Sequence, residues 1–128
     1  MSQVLFIIAL IVLFFVVAAL VDDRRRKSLT SWVGSHPGAK LHWGFDPAQF
    51  PEFPAVELAT LLIGREPPQW AAALETETLW LVEISFTRNA SETSKWHVML
   101  ARRQADGSWQ TELVRGLITR SLVESKAS

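Results

Sequence analysis

The sequence predicts an α+β protein: a single N-terminal transmembrane helix, then a small domain with one short helix packed on a 3-4-stranded antiparallel meander and a short C-terminal helix. Three observations predict it. Val4 to Val21 is an unbroken apolar run, residues 54–63 carry a helical stripe behind a proline, and the chain from Leu79 onward alternates apolar and polar residues between turn signals. A chain of 128 residues leaves room for one modest domain beside such a span. The positive mean hydropathy of +0.15 is concentrated at the N-terminal end.

The apolar run (V-L-F-I-I-A-L-I-V-L-F-F-V-V-A-A-L-V) holds 18 residues without a charge, Pro, Gly or hydroxyl. As a helix it would rise about 27 Å, close to a bilayer core of about 30 Å. A buried core helix of this length would show a polar stripe. A cleavable signal peptide would start with a basic n-region, carry a shorter apolar stretch and end in a small-x-small site. Here Met1, Ser2 and Gln3 precede the run, and Ala18-Ala19 makes a poor cleavage motif. The expectation is a retained anchor.

Asp22-Asp23 and the cations Arg24, Arg25, Arg26 and Lys27 follow the span directly. Topology weighs Lys and Arg and largely ignores acids, so the C-terminal part is expected in the cytoplasm and the N-terminus outside the cell membrane. The same cations could attract anionic headgroups, but two adjacent acids dilute them and stop-transfer is the favoured role. Trp32, close behind, suits the interfacial aromatic belt. The span carries no ionisable or polar side chain and no GxxxG, which excludes transporter and channel chemistry within it.

Nine basic and eleven acidic residues follow Lys27. Gly34, Pro37, Gly38 and Gly44 mark a tether after a helical extension to about Val33. Phe45 to Phe53 sets three Phe around two Pro and reads as an extended segment. Pro54 to Ile63 is the helix, with Val56, Leu58, Leu61 and Leu62 as its stripe and Gly64 at C′. Trp70 to Leu74 is a weak first strand. Leu79 to Thr87 is the clearest one, with Trp80, Val82, Ile84 and Phe86 on one face and Glu83, Ser85 and Thr87 opposite. Asn89 to Ser94 is a polar turn, and Lys95 to Arg103 pairs back with Trp96, Val98 and Leu100 on one face. Asp106-Gly107 predicts a hairpin into Trp109–Val114. Leu117, Ile118, Leu122 and Val123 recur at helical spacing. The expected division is therefore an anchor with its basic flank (1–27), a linker and aromatic/proline segment (28–53), and a cytoplasmic α+β domain (54–128).

The absence of Cys excludes disulfides, thiolate metal sites and cysteine nucleophiles. Balanced charge, 13 basic against 13 acidic residues, argues against nucleic acid, since Lys95, Arg102 and Arg103 make only a small cluster. His36 and His42 are six apart in a Gly/Pro loop, a spacing that suits no regular ligand pair even with Asp46 or His97 added. Glu75, Glu77 and Glu83 are the carboxylates available for acid–base work, the first two expected in solvent beside a turn. No nucleophile elbow or phosphate-binding glycine motif is present. Asn89-Ala90-Ser91 matches a glycosylation acceptor pattern, which a cytoplasmic domain would not use. No enzyme activity, metal or cofactor is expected.

Six Trp are the most informative residues. Trp80 and Trp96 are expected to pair across adjacent strands within the core. Trp43, Phe45, Phe50 and Trp70, beside Gly and Pro segments, are the candidates for a contact surface. The expected function is a single-pass, non-catalytic accessory or adaptor protein, a peripheral subunit of a larger membrane complex, with the lipid bilayer and other membrane-protein subunits as partners. The alternative is a free-standing tethered domain with a small-molecule or lipid pocket between helix 54–63 and the sheet. Low Lys beside high Ala and Trp is compatible with a bacterial source.

Overall fold

A computed structural model describes residues 2–63, 67–86 and 95–127. The first helix, α1 (Ser2–Ser35), is one unbroken element of 34 residues, about 51 Å long at 1.5 Å per residue. It is long and apolar enough to cross a membrane, and its apolar window has no protein packed on it. Past the cations the pattern changes. Leu29, Trp32 and Val33 recur at i, i+3, i+4, and Leu29 and Trp32 are buried by the rest of the fold. The helix that carries the apolar run is thus also a wall of the domain.

The sheet has five antiparallel strands in sequence order, one or two more than the sequence predicts. They are β1 (Lys40–Trp43), β2 (Gln69–Glu75), β3 (Leu79–Phe86), β4 (Lys95–Arg103) and β5 (Trp109–Arg115). The additional strand, β1, lies in the stretch expected to be a tether. Four residues are too few to show a period, but Leu41 packs against the α1 side of the core while Lys40 and Trp43 pair with Glu75 and Ala72. Gly44, at φ +69°, turns the chain off β1, and the N–H groups of Gly44 and Phe45 both donate to Ala71 O. Ala71 sits where the β2–β3 register shifts, so its carbonyl is available to them.

Both faces of the sheet are covered. On one side lie α1 and the C-terminal helix α3 (Arg120–Ala127), packed on Leu74, Leu79, Leu81, Val98 and Leu100. Gly116, at φ +115°, redirects the chain after β5 so that Ile118 enters this layer. On the other side lie residues 45–62, containing the short helix α2 (Ala55–Ala59) and a 3-10 turn over Thr60–Leu62. Phe45, Phe53 and Leu58 pack there on Ala73, Trp80, Val82, Ile84, Met99 and Ala101. The helix expected over 54–63 is therefore split, and Val56 points outward at 81% exposure instead of joining the stripe. The Gly64 C′ position and the Asn89–Ser94 turn lie outside the described residues.

The expected Trp80–Trp96 pair does not form. Trp80 lies opposite Ala101 and Trp96 opposite Ser85, so the two rings stand on different faces. Alternation on β3 sets Glu83 and Ser85 on the face opposite Trp80, Val82 and Ile84, the face a one-sided meander leaves to solvent. That row is instead buried under α1, and Trp96 lies at its end, 44% exposed.

Because Trp32 fills the space between α1 and the sheet, Trp32→Ala should cost about 3–5 kcal/mol. Val56→Ala should stay within about 0.5 kcal/mol. Denaturant unfolding of the detergent-solubilised chain, followed by far-UV circular dichroism, measures both.

Candidate functional site

Arg25 falls on the same side of α1 as Leu29 and Trp32, four residues before the former, and so faces the sheet. Its Nη1 donates to Glu83 Oε1 at 2.8 Å and to the Ile118 carbonyl at 3.0 Å, while Nη2 donates to Asp22 Oδ1 at 3.0 Å. The same Glu83 oxygen accepts from Ile118 N at 3.1 Å. Glu83 is 4% exposed, so this is a buried ion pair that joins α1, β3 and the segment before α3 through one carboxylate oxygen. Arg25 Nε is buried with no acceptor among the described residues.

Arg26 completes the cluster from the solvent side. Its Nε donates to Asp22 Oδ2 at 2.9 Å, and its guanidinium carbon lies 4.7 Å from the centre of the Trp43 ring. Arg25 approaches the same ring at 5.8 Å. The Arg25 hydrogen bond is the main influence holding the Asp22 carboxyl below its ordinary pKa. Around these groups is a cleft of about 340 Å³, bounded by Asp22, Arg25, Arg26, Trp43, Trp96 and Leu117. Arg24 is exposed, and Lys27 pairs with Asp23 at 3.0 Å along the helix surface.

The opposite end of the sheet holds a second groove, of about 480 Å³, with Lys40, Glu52, Glu75, Glu77, Arg103 and Trp109 in its walls. Beside it, His42 Nε2 lies 3.0 Å from Glu75 Oε1, and the imidazole packs 4.6 Å from the Phe50 ring. The carboxylate orients the ring and ties β1 to β2. Glu75 is thus paired and half-buried, not a solvated turn residue.

The expected contact residues separate. Trp43 is 38% exposed beside Arg26, and Phe50 and Trp70 are half-buried, whereas Phe45 is an interior residue at 4% exposure. Phe45, Phe50, Phe53, Trp70 and Trp80 form one aromatic cluster with ring centres 5.2–6.1 Å apart. Trp32, expected at the membrane interface, is 4% exposed and stacks on His36 at 3.9 Å. It stands about 16 Å along the helix past Val21, where the sheet and not a bilayer covers it. Of the four cations read as a topology signal, Arg25 has a structural partner that sequence reasoning missed. The available signal was a lone Glu inside a strand otherwise rich in apolar residues. Compared with known proteins, the chain matches no family model, no curated protein and no solved structure.

Removing either member of the buried pair strands the other. Arg25→Met and Glu83→Leu should each cost about 3–5 kcal/mol, and the double variant R25M/E83L should lose much less than their sum. A double-mutant cycle by denaturant unfolding decides this. Asp22, whose folded pKa is lowered, stabilises the fold fully above its unfolded pKa of about 3.9, and that contribution vanishes as pH falls through the lower folded value. Asp22→Asn should therefore flatten the acid limb of the stability–pH curve.

Proposed function

We propose that the protein is a single-pass, membrane-anchored, non-catalytic accessory or adaptor protein, a peripheral subunit of a larger membrane complex. One observation carries this reading: α1 continues without a break from the apolar run into the core of the domain. An anchor built this way holds its domain at one height and one orientation relative to the bilayer. Positioning of that kind serves a subunit that must meet a partner at the membrane surface. The groove at the end of the sheet away from Arg25, with its mixed charges and Trp109, is the surface offered to that partner.

The space between α2 and the sheet is filled by Phe45, Phe53 and Leu58 against Trp80 and Val82, which favours this reading over an apolar ligand pocket at that place. The cations after the span support a cytoplasmic domain, since Lys and Arg concentrate on the cytoplasmic side of a span. The full chain, tagged and expressed at native levels, should bring down other membrane proteins from mild detergent. Recovery as a lone monomer would count decisively against the subunit role.

Orientation has its own test. Arg25 is committed to Glu83, so the informative variant is R24Q/R26Q/K27Q, which leaves the domain core intact. A reporter fused after Ser128 should be protected from external protease in the parent chain and become partly accessible in the variant. An accessible parent fusion would place the domain outside.

A further inference from the structure

We propose that the cleft between α1 and the near end of the sheet, bounded by Asp22, Arg25, Arg26, Trp43 and Trp96, receives the headgroup of a zwitterionic phospholipid. The inference rests on the membrane-anchor reading above and adds a binding site to it.

The height of the cleft follows from helix and strand geometry. If the apolar run fills the hydrocarbon core, Arg25 stands about 6 Å beyond Val21 along the helix axis. The headgroup layer on each side is about 5–7 Å thick, so Arg25 and its partners lie within it. The chain leaves α1 at its far end and returns along β1, which ends with Trp43 against Arg25 and Arg26. In this antiparallel sheet β3 runs the same way as β1, back toward the bilayer. Trp96 is opposite Ser85, two residues beyond Glu83 on β3, and so about 7 Å nearer the bilayer than the ion pair. The cleft therefore spans the headgroup layer, with the exposed Trp43 and Trp96 in its walls and Trp96 at the hydrocarbon boundary.

The chemistry of the walls selects the headgroup. Two guanidiniums face two carboxylates, Asp22 and Glu83, so the cleft has no net charge to attract a polyanionic lipid. It does offer both signs within one cavity. A phosphate finds Arg26, which is half-exposed, with Arg25 beside it in the wall of the cleft. An ammonium group finds the Asp22 carboxylate, with Trp96 beside it in the wall of the cleft. A volume of about 340 Å³ accommodates such a group. Trp at this depth also gains from its amphipathic ring, as in interfacial aromatic belts.

The test uses the full chain reconstituted in phosphatidylcholine vesicles that contain a headgroup nitroxide, which quenches nearby Trp emission. Trp32, Trp70, Trp80 and Trp109 are buried or half-buried, so Trp43 and Trp96 should dominate the quenching. The W43F/W96F variant should lose at least about half of it, and Trp109→Phe, at the far end of the sheet opposite Arg103, should change it little. A second measurement uses the absence of Cys in the chain. A fluorophore at Gln69→Cys, on the near end of the sheet, should be quenched, and one at Ala105→Cys, at the far hairpin, should not. Replacing half of the lipid with phosphatidylglycerol should alter Trp quenching by less than about twofold. Vesicle flotation reports anchoring separately. A chain that floats but shows equal quenching in the parent and in W43F/W96F overturns the headgroup site and leaves the anchor standing. Quenching that appears only with anionic lipid overturns the zwitterionic assignment. A chain that does not float overturns both readings.

Discussion

The arrangement of the whole chain depends on the contact between Arg25 and Glu83. It is the point at which a helix that begins as an apolar rod becomes part of a folded domain. Burying a guanidinium costs least when its donors are met, and here the two terminal nitrogens reach three oxygens contributed by Glu83, Ile118 and Asp22, while Nε has no acceptor among the described residues. Ile118 N returns to the same Glu83 oxygen, so the segment leading into α3 is fixed by the same pair. Remove the pair and α1, β3 and α3 lose their common reference point. Leu29 and Trp32 then supply the apolar area, but hydrophobic contact has no direction, whereas the ion pair sets the axial position of α1 on the sheet.

This explains why the sheet can carry apolar residues on both faces. A small meander with one solvated face alternates apolar and polar residues, and Trp80, Val82, Ile84 and Phe86 against Glu83, Ser85 and Thr87 fit that pattern. Leu79, Leu81, Val98 and Leu100 belong to a second core that forms only because α1 folds down over them. Trp80, Val82, Ile84, Met99 and Ala101 belong to the first, under residues 45–62. The domain is thus three layers thick: helices, sheet, and an irregular aromatic layer.

Much of this was legible in the residues, and the failures have a common cause. The apolar run, the strand at Leu79, the Asp106-Gly107 hairpin and the C-terminal helix all announce themselves through local pattern. β1 did not, because four residues between glycines show no period and their pairing with β2 is a tertiary event. The positions of Trp32 and Trp96 were misjudged for the same reason. Proximity to the apolar run suggested an interface for Trp32, yet its spacing from Leu29 marks the stripe that meets the sheet. The strand register moved Trp96 to the α1 face, away from Trp80. The candidate site was the least legible part. Arg25 sits among three other cations with an evident topological role, and nothing local distinguishes the one that is buried. The aromatic excess divides along the chain against two of the expectations, with Phe45 inside beside Phe53 and Trp80, and Trp96 outside with Trp43.

In the proposed membrane setting the ion pair also fixes the helix against sliding. A shift of α1 toward the bilayer would drag Arg25 into hydrocarbon, at about 2.5–3.5 kcal/mol at the centre of a span, and would leave Glu83 buried without its partner. A shift the other way would bring Leu20 and Val21 into water and push Leu29 and Trp32 past their places on the sheet. Both displacements are opposed by terms that do not depend on each other, one electrostatic and one hydrophobic. Long Arg side chains near the ends of spans commonly extend to the interface and tolerate some sliding. Arg25 cannot, because its guanidinium is held on the sheet by hydrogen bonds of fixed geometry. The residue at which the chain leaves the bilayer is therefore determined by the fold of the domain as well as by the hydrophobic length of the span.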